Sequence, residues 1–279
     1  MTTTTVPLGL AEQTEIRAYS DFVAGAPAFL RESLGVGRLE IGSTTAVAVR
    51  GEPTGFFDRA GGFGSERPVD ANIVAQVVAF YQEQRVASGT FMLAPSVLPP
   101  DWAAIADKFD LTEGRTVTKL GCDVGTAVSR AYDANALHED LRVGLVEPDE
   151  AGEWAAATVS AFGWTAQRMA ETAAACVGRP DWRQYAVWDG AEIIAVGGVF
   201  LNGDCAGMFG AASLPGRHRC GAHSALLAVR ARAAREAGCR WLVAEAVRQA
   251  PGERDSALGD LSRIGFERLY ERVDWVWHA

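Results

Sequence analysis

In the second half of the chain, apolar positions recur with two alternating periods, and the switches between them mark out the elements. Arg142 to Val146 reads as a strand, and Pro148 to Phe162 as a helix opened by acidic residues and broken by Gly163-Trp164. A second helix is expected from Ala166 to about Val177, ended by Gly178-Arg-Pro-Asp. Gln184–Trp188 and Glu192–Leu201 flank Asp189-Gly190, a hairpin signal, and Asn202-Gly203-Asp204 turns the chain into Ala206–Ser213. Ala222, Leu226, Val229, Ala233 and Ala237 then follow at helical spacing up to Gly238. Trp241–Val247 is a buried strand, Asp255 or Ser256 would cap a short helix to Ile264, and Phe266–Trp277 alternates as one long strand or a pair. The order β-α-α-β-β-β-α-β-α-β is a meander feeding one βαβ crossover. This is an α+β domain with a mixed, mostly antiparallel sheet rather than a dinucleotide-binding repeat.

The first half gives a similar pattern. Ser20–Leu34 reads as a helix, Leu39–Ile41 and Thr45–Arg50 as strands, and Asp70–Val86 as an amphipathic helix with Ile73, Val74, Val77, Val78, Phe80 and Tyr81 crowding one side. Thr90–Leu93, Asp101–Phe109 and Thr116–Val124 then repeat the strand-helix-strand ending of the second half. This echo predicts a duplicated fold: one unit at 1–136 and another at 137–279, joined by a linker at Thr126–Leu137.

Composition narrows the class. The 279 residues are 48% apolar and 22% charged, which suits a globular chain of one large or two ordinary domains. No run of about 18 apolar residues exists, and the start of the chain lacks a basic stretch followed by an apolar one, so neither a membrane span nor a secretion signal is expected. Five scattered cysteines without metal-ligand spacing point to a reduced, cytoplasmic protein that holds no metal. A net charge of −9 speaks against nucleic acid as a partner. Locally the sign reverses: seven arginines lie between Arg217 and Arg248, against Glu236 and Glu245. Arg230, Arg232 and Arg235 fit equally well as a solvated helix face.

That basic segment opens on the most telling motif, Leu214-Pro-Gly-Arg-His-Arg-Cys-Gly-Ala-His-Ser-Ala-Leu-Leu227. A strand that turns through Pro and Gly into a helix leaves backbone amides unpaired at one point, where an anion binds. His218 and His223 stand five apart with no third ligand in view, which argues against a metal. Cys220, beside a helix N-terminus, could be a reactive thiol or an ordinary loop cysteine.

The C-terminal half resembles the GCN5-related N-acetyltransferase (GNAT) superfamily. The resemblance rests on Phe209-Gly-Ala-Ala-Ser-Leu-Pro215, on Gly221 and Ser224-Ala-Leu-Leu227, on Val243-Ala-Glu-Ala246, and on Arg263-Ile-Gly-Phe266 with Tyr270. The N-terminal half is similar to the degenerate partner domain of tandem bacterial GNAT proteins, with Phe57-Asp-Arg-Ala-Gly-Gly-Phe-Gly64 and Ala94-Pro95 as weaker echoes. The resemblance implies an acetyltransferase that moves an acetyl group from acetyl-CoA to the amine of a small molecule by direct attack in a ternary complex. The other reading is a GNAT-fold sensor or scaffold that binds acyl-CoA without turnover. The cofactor contacts it implies are Ala212, Ser213 and Leu214 along the strand and Arg217, His218, Arg219, Cys220, Gly221, Ala222, His223 and Ser224 at the turn. A strand amide near Ala212 or Ser213 would hold the oxyanion. Of the usual basic-x-x-Gly-x-Gly/Ala loop only Gly221 matches, and Leu261 stands where relatives carry the tyrosine that protonates the thiolate, which leaves Tyr270 as a substitute. Glu245, ending an apolar strand, is the candidate base; a strand-end carboxylate paired with Arg240 or Arg248 is its competing reading. Phe162 and Trp164 would wall the acceptor side. Asp260 is either a substrate contact or a solvated helix residue. The N-terminal unit is expected to enclose substrate without binding a cofactor, and a homodimer is one assembly open to the chain.

Overall fold

In a computed structural model of the chain, residues 5–133, 138–164, 167–214, 221–248 and 256–279 are described. The first half comprises helices α1 (Leu8–Ala24) and α2 (Ala28–Leu34), strands β1 (Val36–Ile41), β2 (Thr44–Val49) and β3 (Arg59–Gly61), helix α3 (Ala71–Gln84), strand β4 (Ser88–Phe91), helix α4 (Trp102–Lys108), strand β5 (Thr112–Asp123) and helix α5 (Val124–Asp133). The second half comprises β6 (Leu141–Leu145), α6 (Ala151–Phe162), α7 (Gln167–Ala174), β7 (Trp182–Asp189), β8 (Glu192–Asn202), β9 (Cys205–Ser213), α8 (Ala222–Glu236), β10 (Trp241–Val247), α9 (Ser256–Arg263) and β11 (Glu267–His278).

All eleven strands join one sheet, in the order β1-β2-β3-β4-β11-β5-β10-β9-β8-β7-β6. Among the described residues only β3–β4 and β9–β10 pair in parallel, each across a helical crossover, so the mixed and mostly antiparallel sheet expected from the pattern is present. The two halves exchange their last strands. β5 lies against β10 from Trp241↔Asp123 to Val247↔Val117, while β11 lies against β4 from Trp275↔Phe91 to His278↔Ser88. β5 and β11 also pair with each other, with irregularities at Leu269 and Asp274.

The predicted strands and helices of the second half are present, with α7 ending at Ala174 short of the expected Val177 and Phe266–Trp277 resolving into a single strand; Ala166 and the expected cap Asp255 lie outside the described residues. Two expectations for the first half are corrected. Ser20–Leu34 is not one helix: Gly25-Ala26-Pro27 ends α1 and starts α2, since Pro27 offers no amide to continue the first ladder. α1 also begins at Leu8, far earlier than expected, because its buried face carries Glu12, Thr14, Glu15 and Ser20 and so lacks an apolar stripe. The expected linker is mostly α5. Asp123 caps it by accepting from the Thr126 amide at 3.0 Å, and Ala127, Val128 and Ala131 pack with the alanines of α8. Small residues there permit close helix contact; they do not mark a tether. Residues 134–137 lie outside the described residues.

α1, α2, α6 and α7 cover one face of the sheet around a core holding Phe22, Trp154, Trp164 and Trp182. α5, α8 and α9 cover the other. α1 binds the halves together: the Trp182 indole donates to Asp21 Oδ1 at 2.6 Å, and Arg179 Nη1 donates to the Asp21 carbonyl at 3.1 Å. Asp21→Ala would strand the buried indole N–H, and we expect it to lower unfolding stability by about 1–3 kcal/mol in a urea titration.

Candidate functional site

The site follows from a local failure of pairing. Among the described residues β9 meets β10 only from Trp241↔Cys205 to Val243↔Gly207; beyond that the strands diverge, and the β10-facing edge of β9 from Met208 on pairs with no described strand. Within the open stretch lies a bulge. Gly198 pairs with Phe209 and Val196 with Ala212, so Gly210 and Ala211 oppose the single Gly197. Gly210 adopts φ +57°, a conformation that side chains disfavour. A Cβ there would meet only Phe162 at 3.8 Å, so Gly210→Ala should cost about 1–2 kcal/mol of backbone strain without a clash. A thermal melt measures that cost.

The splay opens a cavity of about 250 Å³ that passes through the sheet. Tyr19 and Phe22 of α1 with Thr158 and Phe162 of α6 line it on one face; His223, Leu227 and Arg230 of α8 with Leu261 of α9 line it on the other. The bulge residues Gly210 and Ala211 line it between them. Gly221, with φ +91°, is the N-cap of α8 and makes no side-chain cap among the described residues; His223 in the first turn lines the cavity, so the positive end of the helix lies beside it.

The cavity floor is ionic. Glu245 of β10 lies 2.5 Å from Lys119 of β5, whose ammonium also donates to Glu15 of α1 at 2.8 Å. Arg272 of β11 grips Glu15 bidentately at 2.6 and 2.7 Å and donates to Asp274 at 2.9 Å. Glu12 sits 3.5 Å from Arg272 and accepts from the Tyr270 hydroxyl. Four elements from both halves therefore build one buried cluster. Its carboxylates diverge in acidity. Burial opposes the charge of Glu15, but the two cations outweigh it and hold that carboxyl well below the usual range. Burial, with the neighbouring Glu15 charge, pushes Glu245 up to about 7 against the pull of Lys119. Burial likewise raises Glu12. Two carboxylates a few ångströms apart thus end with opposite habits, one always charged and one poised to exchange a proton near neutrality.

Neither a protein-family model nor a curated protein sequence matches the chain. Solved structures do. A GCN5-related N-acetyltransferase from Kribbella flavida superposes with a TM-score of 0.64 at 13% identity, over 97% of this chain and 96% of that one. A tandem GNAT protein from the clavulanic acid biosynthesis pathway does so with a TM-score of 0.57 at 16% identity, over 99% and 98%. A GCN5-related N-acetyltransferase from Sphaerobacter thermophilus gives 0.55 at 13%, over 98% and 94%. The chain has the tandem GNAT fold.

Several residues singled out in the sequence come together at this GNAT-fold cavity. Glu245, Phe162, Trp164 and His223 line it, and so does Leu261. Phe162 stacks on Trp164 at 5.3 Å. Glu245 pairs with neither Arg240 nor Arg248: its partner is Lys119, and Arg240 instead lies over the Trp241 ring. Ala212 and Ser213 pair with Val196 and Ala195 of β8, and the Leu214 amide donates to Ile194. The backbone opening into the cavity is the Gly210–Ala211 bulge, just before the stretch expected to hold an oxyanion. His223 Nδ1 is 2.7 Å from Asp260 Oδ2, and burial lowers the pKa of the ring against the pull of that carboxylate. Asp260 also holds Arg263 at 2.9 Å. Gly221, Ala222 and Ser224 lie at the first turn of α8. Arg217, His218, Arg219 and Cys220 lie outside the described residues. Tyr270 does not line the cavity; its hydroxyl is committed to Glu12, and burial with that carboxylate raises its pKa far above the ordinary phenol value.

Sequence reasoning missed Glu12, Glu15, Lys119, Arg272 and Asp274. A signal existed for three of the cluster's members. Tyr270, Arg272 and Asp274 alternate along the last strand, putting three polar groups on one face of a segment otherwise rich in tryptophan and valine.

Proposed function

We propose that the protein transfers an acyl group from acyl-CoA, acetyl-CoA in the simplest case, to the amine of a small molecule. One observation carries the reading: a carboxylate with a pKa of about 7 stands at the floor of a strand splay that opens the sheet from face to face. The thioester would enter along the open edge of β9, whose free backbone groups can pair with the pantetheine amides as an added strand would. Gly221, Ala222, His223 and Ser224 would meet the pyrophosphate at the positive end of α8. The amine would arrive from the other face, between α1 and α6. Glu245 takes its proton, and the Gly210–Ala211 bulge lies beside the carbonyl oxygen that gains charge. Attack is direct, in a ternary complex. No histidine is needed as base, since His223 is spoken for by Asp260.

In this reading residues 137–279 carry the acyl-CoA site and residues 1–136 complete it, since Glu15, Tyr19 and Lys119 come from the first half. Calorimetry with CoA and thiol release from acetyl-CoA across a panel of primary amines test the proposal. Saturable CoA binding with amine-dependent release is expected. No CoA binding would overturn it, and binding without release for any amine would favour the sensor.

A further inference from the structure

Three cations are deeply buried around the cavity floor and its acceptor face, two of them paired with carboxylates, while a fourth, Arg230 of α8, lies on the opposite face and donates to the Leu226 and Gly198 carbonyls. Lys119 has Glu15 and Glu245; Arg272 has Glu12, Glu15 and Asp274. The third, Arg59 of β3, is 4% exposed, lines the cavity, and has no carboxylate within ion-pair distance among the described residues. Its Nε donates to the Phe56 carbonyl at 2.5 Å and Nη1 reaches only Met92 Sδ at 3.9 Å. Its guanidinium lies 4.7 Å from the Tyr19 ring and 5.1 Å from the Phe56 ring. The adjacent Asp58 turns away, accepting from the Val49 amide at 2.7 Å. Ring faces offset part of the cost of burying a cation, but a desolvated guanidinium without a counter-ion remains unfavourable, and its planar fork matches a carboxylate.

The opposite charge lies across one aromatic ring. Tyr19 has Arg59 on its face and also lines a small recess with Glu15 and Glu245. The cavity thus presents a cation on one side and carboxylates on the other. Between them, Phe56, Phe162 and Phe209 are half-buried, and Trp164 stacks on Phe162. The 250 Å³ volume admits a small molecule.

We propose that the acceptor is an amino acid with an aromatic side chain: Arg59 holds its carboxylate, the rings hold its side chain, and its amine is directed to Glu245. This rests on the acyl-transfer reading. The amine nitrogen forms a bond to the acetyl carbon and gives its proton to Glu245. The carbon–sulfur bond breaks, and the sulfur leaves as thiolate and takes up a proton, yielding the N-acetyl amino acid and CoA.

Thiol release from acetyl-CoA is compared for phenylalanine, for phenethylamine, which lacks only the carboxylate, and for alanine, which lacks the ring. Wild-type kcat/KM should favour phenylalanine over each of the others by about 100-fold. Arg59→Gln should remove most of that advantage over phenethylamine, chiefly through KM, and leave phenethylamine itself within about threefold; Arg59→Lys should recover part of the loss. Equal use of phenylalanine and phenethylamine by the wild type, or an equal loss on both in Arg59→Gln, overturns the proposal. Equal use of alanine overturns its aromatic part. Failure of the acyl-transfer reading looks different, with no amine releasing thiol. The carboxylate site is then read without turnover. N-acetylphenylalanine should raise the melting temperature of the wild type but not of Arg59→Gln, and N-acetylphenethylamine should raise neither. Absence of that contrast overturns the site itself.

Discussion

Glu245→Gln should cut amine-dependent thiol release by about 1,000-fold while leaving CoA affinity within a few-fold, because it removes a proton acceptor and keeps the shape. The pH dependence makes the expectation specific. As the proposed base Glu245 would act only when deprotonated, and burial raises its pKa to about 7, so wild-type kcat/KM should climb with pH and level off above neutrality. The variant should lack that limb. Stability carries a second signature. A carboxyl raised above its unfolded value binds a proton in the folded state that the unfolded chain has lost, so it makes stability decline as pH rises from about 4.5 to about 7. Glu245→Gln removes that contribution to the slope, visible in urea titrations across the window. A rate within threefold of wild type, or a surviving limb at pH 7, would assign the base elsewhere.

The second large effect concerns the cation beneath it. Arg272 is 2% exposed and contacts three carboxylates. Arg272→Met would leave Glu12, Glu15 and Asp274 around Lys119 alone, and we expect a loss of about 3–5 kcal/mol at pH 7. Its sign with pH follows from Glu15. With Arg272 present the Glu15 carboxyl is depressed, so its contribution to stability is complete above about 4.5 and fades as pH falls below that. Without Arg272 burial dominates, the carboxyl rises, and charge on it becomes a cost. The gap between wild type and variant should therefore widen from pH 4 to pH 7. Arg272→Met combined with Glu15→Met, which removes both partners, should recover much of the loss. A single variant within about 1 kcal/mol of wild type at pH 7 would show that the cluster is not worth what its burial implies.

How far the sequence leads depends on which period a residue obeys. β7, β8 and β9 were legible because Asp189-Gly190 and Asn202-Gly203 punctuate apolar runs, and α8 because alanine and leucine repeat at helical spacing. Glu245 was legible as a lone carboxylate closing Trp241-Leu-Val-Ala, although not its partner. The failures at the ionic site share one cause, the burial of charge. α1 places Glu12 and Glu15 inward, so a search for an apolar stripe passes over it. Lys119 and Arg272 lie in different halves, and their ion pairs exist only once distant strands are side by side. The same holds for Arg59, which a linear reading places in a weak glycine-rich echo. The sequence also could not reveal the exchange of final strands, since β5 and β11 would show the same alternation beside either neighbour.

That exchange bears on how the protein is made. Synthesis runs from the N-terminus, and β11, the strand that covers β4, is made long after it. Until residues 275–278 arrive, Ser88–Phe91 offers a bare strand edge, and Phe91 and Tyr81 lack the Trp277 that completes their core. The N-terminal half therefore stays incomplete until β11 has been made, a slow, long-range closure of the kind that exposes sticky edges. The ionic floor of the cavity waits with it, because Arg272, which grips Glu15 of α1, belongs to β11. A chain without β11 would lose the arginine of the cluster and the cover of the β4 edge together.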